Sequence, residues 1–449
     1  MNWRQVNTPP LAHLAAIGTL IVVLTAAAPL LFAHLGDNAF IAQALVVGLL
    51  TMRATKVAEA CPERGGLVVI LGLAILLRLI LVAVPPLLSD DIFRFVWDGR
   101  VQATGISPYR FVPADESLAA LRDEAIFPFI NRKDYAVTIY PPAAQMFFLV
   151  VTRLQESVTM MKTALVACES VTVLLLITFL RRLELPATRV VAYTWHPLVI
   201  WEIANNGHLD GLMAALMLLA LWLFAAGWVA AAGVAATVGA LVKPFPVLIL
   251  PVFWRPWDWR LPLVVVTTLV VLYTPYLSVG AGVLGFLPTY VGEERIDSGS
   301  AFWLVNVFEA LLGPSPWWRE LYISAAALVL GGLALRAGFR RERPFSSTVG
   351  DIKASLLAFC FFLSPDYPWY FLMVVPFVAL TGSLPGWALT VGGFALYDVL
   401  AWDPQIHFVL RDAAFNLLVL AAMIFAGLRA WRERSASLPG ELALYDHHR

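Results

Sequence analysis

The sequence predicts an all-α polytopic membrane protein with roughly 12–14 transmembrane helices. Three observations carry that prediction. The chain is 60% hydrophobic and 14% charged, whereas soluble domains are nearer half apolar and a quarter charged. Its mean hydropathy is +0.77, and the apolar residues fall into blocks of about the twenty residues a helix needs to cross a bilayer core. Lys and Arg recur in the short segments between blocks, as they do on the cytoplasmic side of membrane proteins. One membrane-embedded domain is expected over 1–449. It would comprise N-terminal spans (1–84), an outer loop with interfacial helices (85–140), a core (141–380), and C-terminal spans with a cytoplasmic tail (381–449).

Blocks at 12–32, 39–52 and 67–88 predict the first three spans. The first has too long an apolar core for a signal peptide and is expected to remain uncleaved. Arg53, Lys56 and Arg64 place the turn after the second span in the cytoplasm. Further blocks lie at 158–180, 188–203, 209–226, 228–253, 261–278, 320–336, 352–364, 368–382, 386–400 and 413–430, with short ones at 141–152 and 302–312. Arg336, Arg340, Arg341, Arg343 and Lys353, then Arg429, Arg432 and Arg434, mark later cytoplasmic segments. Both termini are therefore expected inside, and 86–140, 290–302, 364–370 and 401–407 outside. "RRLELPATR" (181–189) and "WRPWDWR" (254–260) both read as cytoplasmic, so an even number of crossings must separate them. A break in 228–253 at "LVKPFPV", where Pro244 and Pro246 interrupt a helix, satisfies that parity. It also brings Lys243 and "NNGHLDG" (205–211) to the outer face.

The formal net charge is zero, so no basic field points to nucleic acid. Cys61, Cys168 and Cys360 are far apart, and the histidines show no metal-ligand spacing. No metal site is expected and no cofactor is required, though a divalent ion is left open. No repeat of 20–50 residues is present.

The charge this chain otherwise avoids gathers in "LLSDDIFRFVWDGRVQATGISPYRF" (87–111). Ser89 is a good N-cap, Asp90 and Asp91 fill a first helical turn, and the helix should run to about Thr104 and end at Gly105. Ile92, Phe93, Val96 and Val101 are expected to bury against the membrane surface. Capping alone can explain two carboxylates, but charge beside lipid is costly and tends to be functional. Adjacent carboxylates near arginines suit general-base work on a hydroxyl, with the cations receiving an anion. Asn205, Asn206, His208 and Asp210 read equally as a turn or a site. Lys243 either meets an anion or snorkels, and Arg78 either snorkels or pairs with an intramembrane acid such as Glu169.

In these residues the chain resembles the glycosyltransferase C superfamily. It is most similar to bacterial polyprenol-phosphate-mannose-dependent mannosyltransferases and to the first mannosyltransferase of GPI-anchor synthesis. The resemblance rests on Asp90–Asp91 with Asp98 downstream, "GISPY" (105–109), "YPP" (140–142), "HPLVIWEIANNGHLDG" (196–211), "KPFP" (243–246) and "YPWYFLMVVP" (367–376). It implies transfer, with inversion, of mannose or another hexose or pentose from a polyprenyl phosphate to a lipid-linked or glycan hydroxyl, in contact with membrane lipids at the outer face of the plasma membrane. Asp90 would be the general base and Asp91 its helper. Arg94, Arg100, Lys133 and Lys243 would receive the donor phosphate. Asp98, Tyr109, Tyr140, Asn206, His208 and Asp210 would bind substrate, and 279–319 would form a lid. The chain departs from the family pattern in its contiguous acid pair, in two extra leading spans, and in Phe245 where relatives carry tyrosine. A secondary transporter or lipid flippase, and a polysaccharide ligase or polymerase, are the rival readings.

Overall fold

A computed structural model describes residues 9–363, 367–398 and 404–436. Every regular element among them is helical. Among the described residues, eight helices are long and apolar enough to cross a membrane, and a bent pair, Pro197–Asn205 with Asp210–Ala225, adds a ninth. Pro142–Leu154, Val229–Ala240, Trp303–Leu312 and Pro368–Thr381 are apolar but short. The protein is an all-α polytopic membrane protein in which several of the expected spans are broken or short. Proline and polar residues interrupt the backbone where the bundle interior can satisfy the freed groups.

Helices α1 (Pro10–Leu35) and α2 (Asp37–Ala58) form a hairpin turned at Gly36, whose φ of +75° suits glycine. α1 lies against α3 (Glu63–Val82) and the central segment. A Cβ at Gly18 would sit 2.4 Å from both Leu73 and Trp195, so glycine sets that approach.

The axis of the bundle is residues 187–206, buried except at Arg189. Beside it, Arg78 on α3 and Glu169 on α6 (Val158–Arg182) make a bidentate ion pair at 2.6 and 3.2 Å. Of the two readings of Arg78, the structure shows pairing. The ion pair removes the cost of two charges at membrane depth.

The helix that opens the outer loop, α4 (Asp91–Ala103), differs from expectation in two ways. Asp90 occupies the N-cap, while Ser89 Oγ accepts the Asp91 N–H at 3.3 Å. Its apolar residues also bury against protein. Ile92, Arg94, Phe95, Val96, Trp97, Asp98, Gly99 and Val101 are all buried, against α6 and α5 (Pro142–Leu154) among others. Its small residue allows this: a Cβ on Gly99 would come within 2.6 Å of the Phe148 carbonyl.

The 228–253 block breaks as expected. Val229–Ala240 ends before Lys243, and Phe245–Ile249 resumes as a 3-10 turn. Contacts gather the basic turns at one end of the bundle: Thr188 Oγ1 donates to Ala58 O, Arg181 pairs with Glu63, and Arg343 donates to the Val252 and Trp254 carbonyls. At the other end Asn206 meets Leu87, Lys243 meets Asp210, and Arg132 meets Glu293. Of the expected outer segments, 364–366 and 401–403 lie outside the described residues.

Candidate active site

The approach to the acid pair is clamped from the central segment. That segment widens into a π turn over Ile200–Asn205 and then bends by 116° into the Asp210–Ala225 helix. The wide turn projects two asparagines. Asn205 Oδ1 accepts the Leu87 N–H at 2.9 Å, and its Nδ2 donates to Pro85 O. Asn206 Oδ1 accepts the N–H groups of Leu87 and Leu88 at 3.2 and 3.0 Å. Asn206 Nδ2 donates to Glu202 Oε2 at 2.9 Å, and the Tyr397 hydroxyl donates to Glu202 Oε1. Gly207 follows at φ +72°, and a Cβ there would meet Ile92 of α4 at 2.3 Å. The bend and α4 therefore fit each other closely.

The two acids face different surroundings. Asp90 is exposed and its carboxylate has no hydrogen-bond partner among the described residues; partial burial, then the charge of Asp91, raises its carboxyl above the usual range. Asp91 accepts a hydrogen bond from Asn131 Nδ2 at 2.8 Å, and its Oδ2 lies 3.9 Å from His208 Nε2. His208 is 1% exposed and packs on Trp369 with ring centroids 4.6 Å apart. Its Nδ1 is 2.9 Å from Glu202 Oε2, yet off the line a hydrogen bond needs, so both ring nitrogens are buried and unmatched. Asp210, fully buried, pairs through Oδ2 with Lys243, while its Oδ1 is also unmatched. Lys243 sits 4.7 Å over the Tyr370 ring, and the Tyr370 and Tyr290 hydroxyls are 3.2 Å apart. Tyr367 stacks on Trp369 and its hydroxyl donates to Glu294. The result is a cluster of acid, imidazole and ammonium groups beside an aromatic wall.

Residues 43–257, just under half the chain, match the family described as alpha-(1->6)-mannopyranosyltransferase, N-terminal domain. Over those residues the chain is similar to that family. No curated protein and no solved structure matches it. The match supports a membrane-embedded glycosyltransferase of mannosyltransferase type, the kind of enzyme its motifs resemble. The matched stretch supplies Asp91, Asn131, Glu202, His208, Asp210 and Lys243. Tyr290, Tyr367, Trp369, Tyr370 and Tyr397 come from beyond the matched stretch.

The remaining expected residues of the matched stretch divide clearly. Arg94, expected at a donor phosphate, is buried and committed: Nε donates to Asp98 Oδ1 at 2.8 Å and Nη1 to Ala136 O. Asp98, expected at substrate, is 1% exposed and also accepts from Gln145 Nε2 at 2.9 Å. Arg100 points away from the cluster, paired with Asp123 and Glu156 at 2.6 Å each. Lys133 donates to Pro128 O and covers the Phe127 ring. Only Lys243 of the four cations lies in the cluster. Tyr109 donates to the Tyr140 carbonyl at 2.7 Å, which fastens "GISPY" to "YPP". The Tyr140 hydroxyl feels the Asp91 charge, and burial followed by that charge raises its pKa. Asn206 Oδ1 is taken by the Leu87 and Leu88 N–H groups and one Nδ2 hydrogen by Glu202, so most of its hydrogen-bonding capacity holds the loop.

Sequence reasoning passed over Glu202, Asn131 and the buried Lys162, which donates to Val84 O at 2.6 Å. Glu202 carried a usable signal: a carboxylate inside "PLVIWEIAN" is costly unless it is partnered. Among the described residues, no three of His, Cys, Asp and Glu converge as a metal-ligand set.

Proposed function

We propose that the protein transfers mannose, with inversion, from a polyprenyl-phosphate donor to a hydroxyl of a lipid-linked or glycan acceptor at the outer face of the plasma membrane. The alpha-(1->6) linkage in the family's name is the expected product linkage. Asp91 is the general base. It takes the proton as the acceptor oxygen attacks the anomeric carbon, and the bond from that carbon to the phosphate oxygen breaks. Lys243 receives the departing phosphate, and Asp210 and His208 hold sugar hydroxyls. Both termini would then lie in the cytoplasm, where the basic turns sit.

One observation carries this reading. His208 Nε2 and Asp210 Oδ1 are buried without a hydrogen-bond partner, directly beside a carboxylate and an ammonium, and Nδ1 faces Glu202 off the line of a hydrogen bond. Buried polar groups are nearly always paired, so such a gap calls for a polyhydroxyl ligand. The flanking Trp369 and Tyr370 offer apolar faces to the C–H side of a sugar ring. Asp91 is preferred to Asp90 because Asp91 faces His208, whereas Asp90 is exposed and unpartnered.

The test is transfer from polyprenyl-phosphate mannose by reconstituted protein. Asp91→Asn should lose about 10²–10⁴ in turnover, and Asp90→Asn should keep most of it. The reverse outcome returns the base to Asp90. Full activity in both variants removes the carboxylate mechanism, and activity with a nucleotide sugar alone removes the donor.

A further inference from the structure

The basic end of the bundle, opposite Asp91, holds a second cavity of 410 Å³, within the usual range for small-molecule sites. Its walls are residues 247–254, the first turns of the Arg260–Tyr273 helix and the last turn of the Pro316–Gly338 helix, and no charged side chain lines it. Val247, Leu335 and Phe339 are exposed by half or more on the lipid-facing surface. The 260–293 span they adjoin is the one least covered by the rest of the chain among the eight.

Cationic groups stand at the end of this groove. Arg343 bridges its two walls, with Nη1 donating to Val252 O, Nη2 to Trp254 O and Gly338 O, and Nε to Arg340 O, which leaves one Nη1 hydrogen free; it has no carboxylate partner among the described residues. Arg255, next to Trp254, is exposed and its side chain has no hydrogen bond or ion pair among the described residues. Arg336 and Arg340 are both taken by Asp351, at 2.6 and 2.9 Å. The nearby Asp258 carboxylate is turned to the Arg260 N–H. Burial, followed by the repulsion of Arg255, holds the Arg343 guanidinium below its usual range. Trp257 and Trp259, 91% and 67% exposed, mark the level of a headgroup region. An apolar slot ending in two unneutralised guanidinium groups is complementary to one kind of molecule: an apolar chain ending in an anion.

We infer that this groove binds one acyl chain of an anionic phospholipid, with its phosphate received by the Arg255 fork, beside the charge and the one remaining Nη1 hydrogen of Arg343. Arginine suits phosphate because its planar fork donates two parallel hydrogen bonds, and basic pockets between spans on the cytoplasmic side bind anionic headgroups. The inference does not depend on the transfer chemistry.

Native mass spectrometry of the full-length protein, delipidated and supplied with phosphatidylglycerol or phosphatidylethanolamine, tests it. One phosphatidylglycerol should be retained in preference to phosphatidylethanolamine. Arg255→Ala should weaken that retention about fivefold, from about 1 kcal/mol per basic residue at a lipid surface; Arg255 is exposed, so folding is not at risk. Ala334→Phe, which fills the groove, should abolish it. Equal retention of the two lipids, or wild-type retention by either variant, overturns the inference. So does displacement of phosphatidylglycerol by equimolar polyprenyl phosphate, which would give the groove to a prenyl chain.

Discussion

Asn206→Ala offers a test of how the catalytic loop is held. The Asn206 side chain makes three hydrogen bonds: it accepts from Leu87 N and Leu88 N and donates to Glu202. Leu87 N keeps Asn205 as a second acceptor, so the groups orphaned by truncation are Leu88 N–H and one face of the Glu202 carboxylate. An unsatisfied buried donor costs about 1–3 kcal/mol, and a lost hydrogen bond to a charged group about 1.5–3 kcal/mol. Leu88 is only partly buried, which places its share at the low end. The sum is about 3 kcal/mol, a large fraction of a typical folding free energy. Part of this should appear as function, because the clamp lies three residues before Asp91. Asn206→Asp should be no better: it keeps the acceptor but sets a second carboxylate against Glu202. The assay pairs unfolding in detergent with mannosyl transfer at a temperature where the variant is folded. A loss under about 1 kcal/mol with unchanged turnover would refute the clamp.

Three further predictions follow from other contacts. Breaking the Arg78–Glu169 pair from one side, with Arg78→Met or Glu169→Leu, should cost about 3–5 kcal/mol each by stranding a buried charge, while the double variant loses much less; additive losses would contradict coupling. Lys243→Met strands Asp210 and should lower both stability and transfer. Adding Asp210→Asn should recover stability but not transfer, and recovery of both would make the pair purely structural. The Asp90 carboxyl is raised above its usual value of 3.8, so the folded state holds that proton more tightly than the unfolded state. Its contribution to stability therefore falls as pH rises through 3.8 and stays lost above the folded value. Asp90→Asn should gain thermal stability over the parent near neutral pH and lose that advantage below about pH 4; a gap that does not change with pH refutes the assignment.

Several features were legible because each is set by local physics. Apolar blocks of bilayer length are a property of composition, so the helical membrane class could be read directly. Pro244 and Pro246 broke the 228–253 block for reasons internal to the backbone, and Gly105 ended α4 at φ +84°. The pairing of Arg78 with Glu169 was foreseeable because few alternatives exist for a charge at that depth. The functions of individual polar residues were less legible. Arg94, Arg100 and Lys133 all looked available for phosphate, and all three proved to have partners from distant parts of the chain or from backbone carbonyls. Asn206 looked like a ligand contact, and its oxygen is taken by the backbone of Leu87 and Leu88.

What the sequence determined by itself is the solvent: a chain this apolar must satisfy its backbone within helices inside a bilayer, and its motif order resembles that of sugar-transfer enzymes. What the tertiary structure alone decided is which polar groups are already satisfied. That depends on approaches such as α4 against the bend at Gly207, on a π turn that aims Asn206 at Leu88, and on aromatic residues some 160 positions from His208. Hydrogen bonds act over about 3 Å, whereas spacing along the chain says nothing about distance between spans. Of the two adjacent carboxylates, only the fold could turn one toward an imidazole and leave the other in solvent.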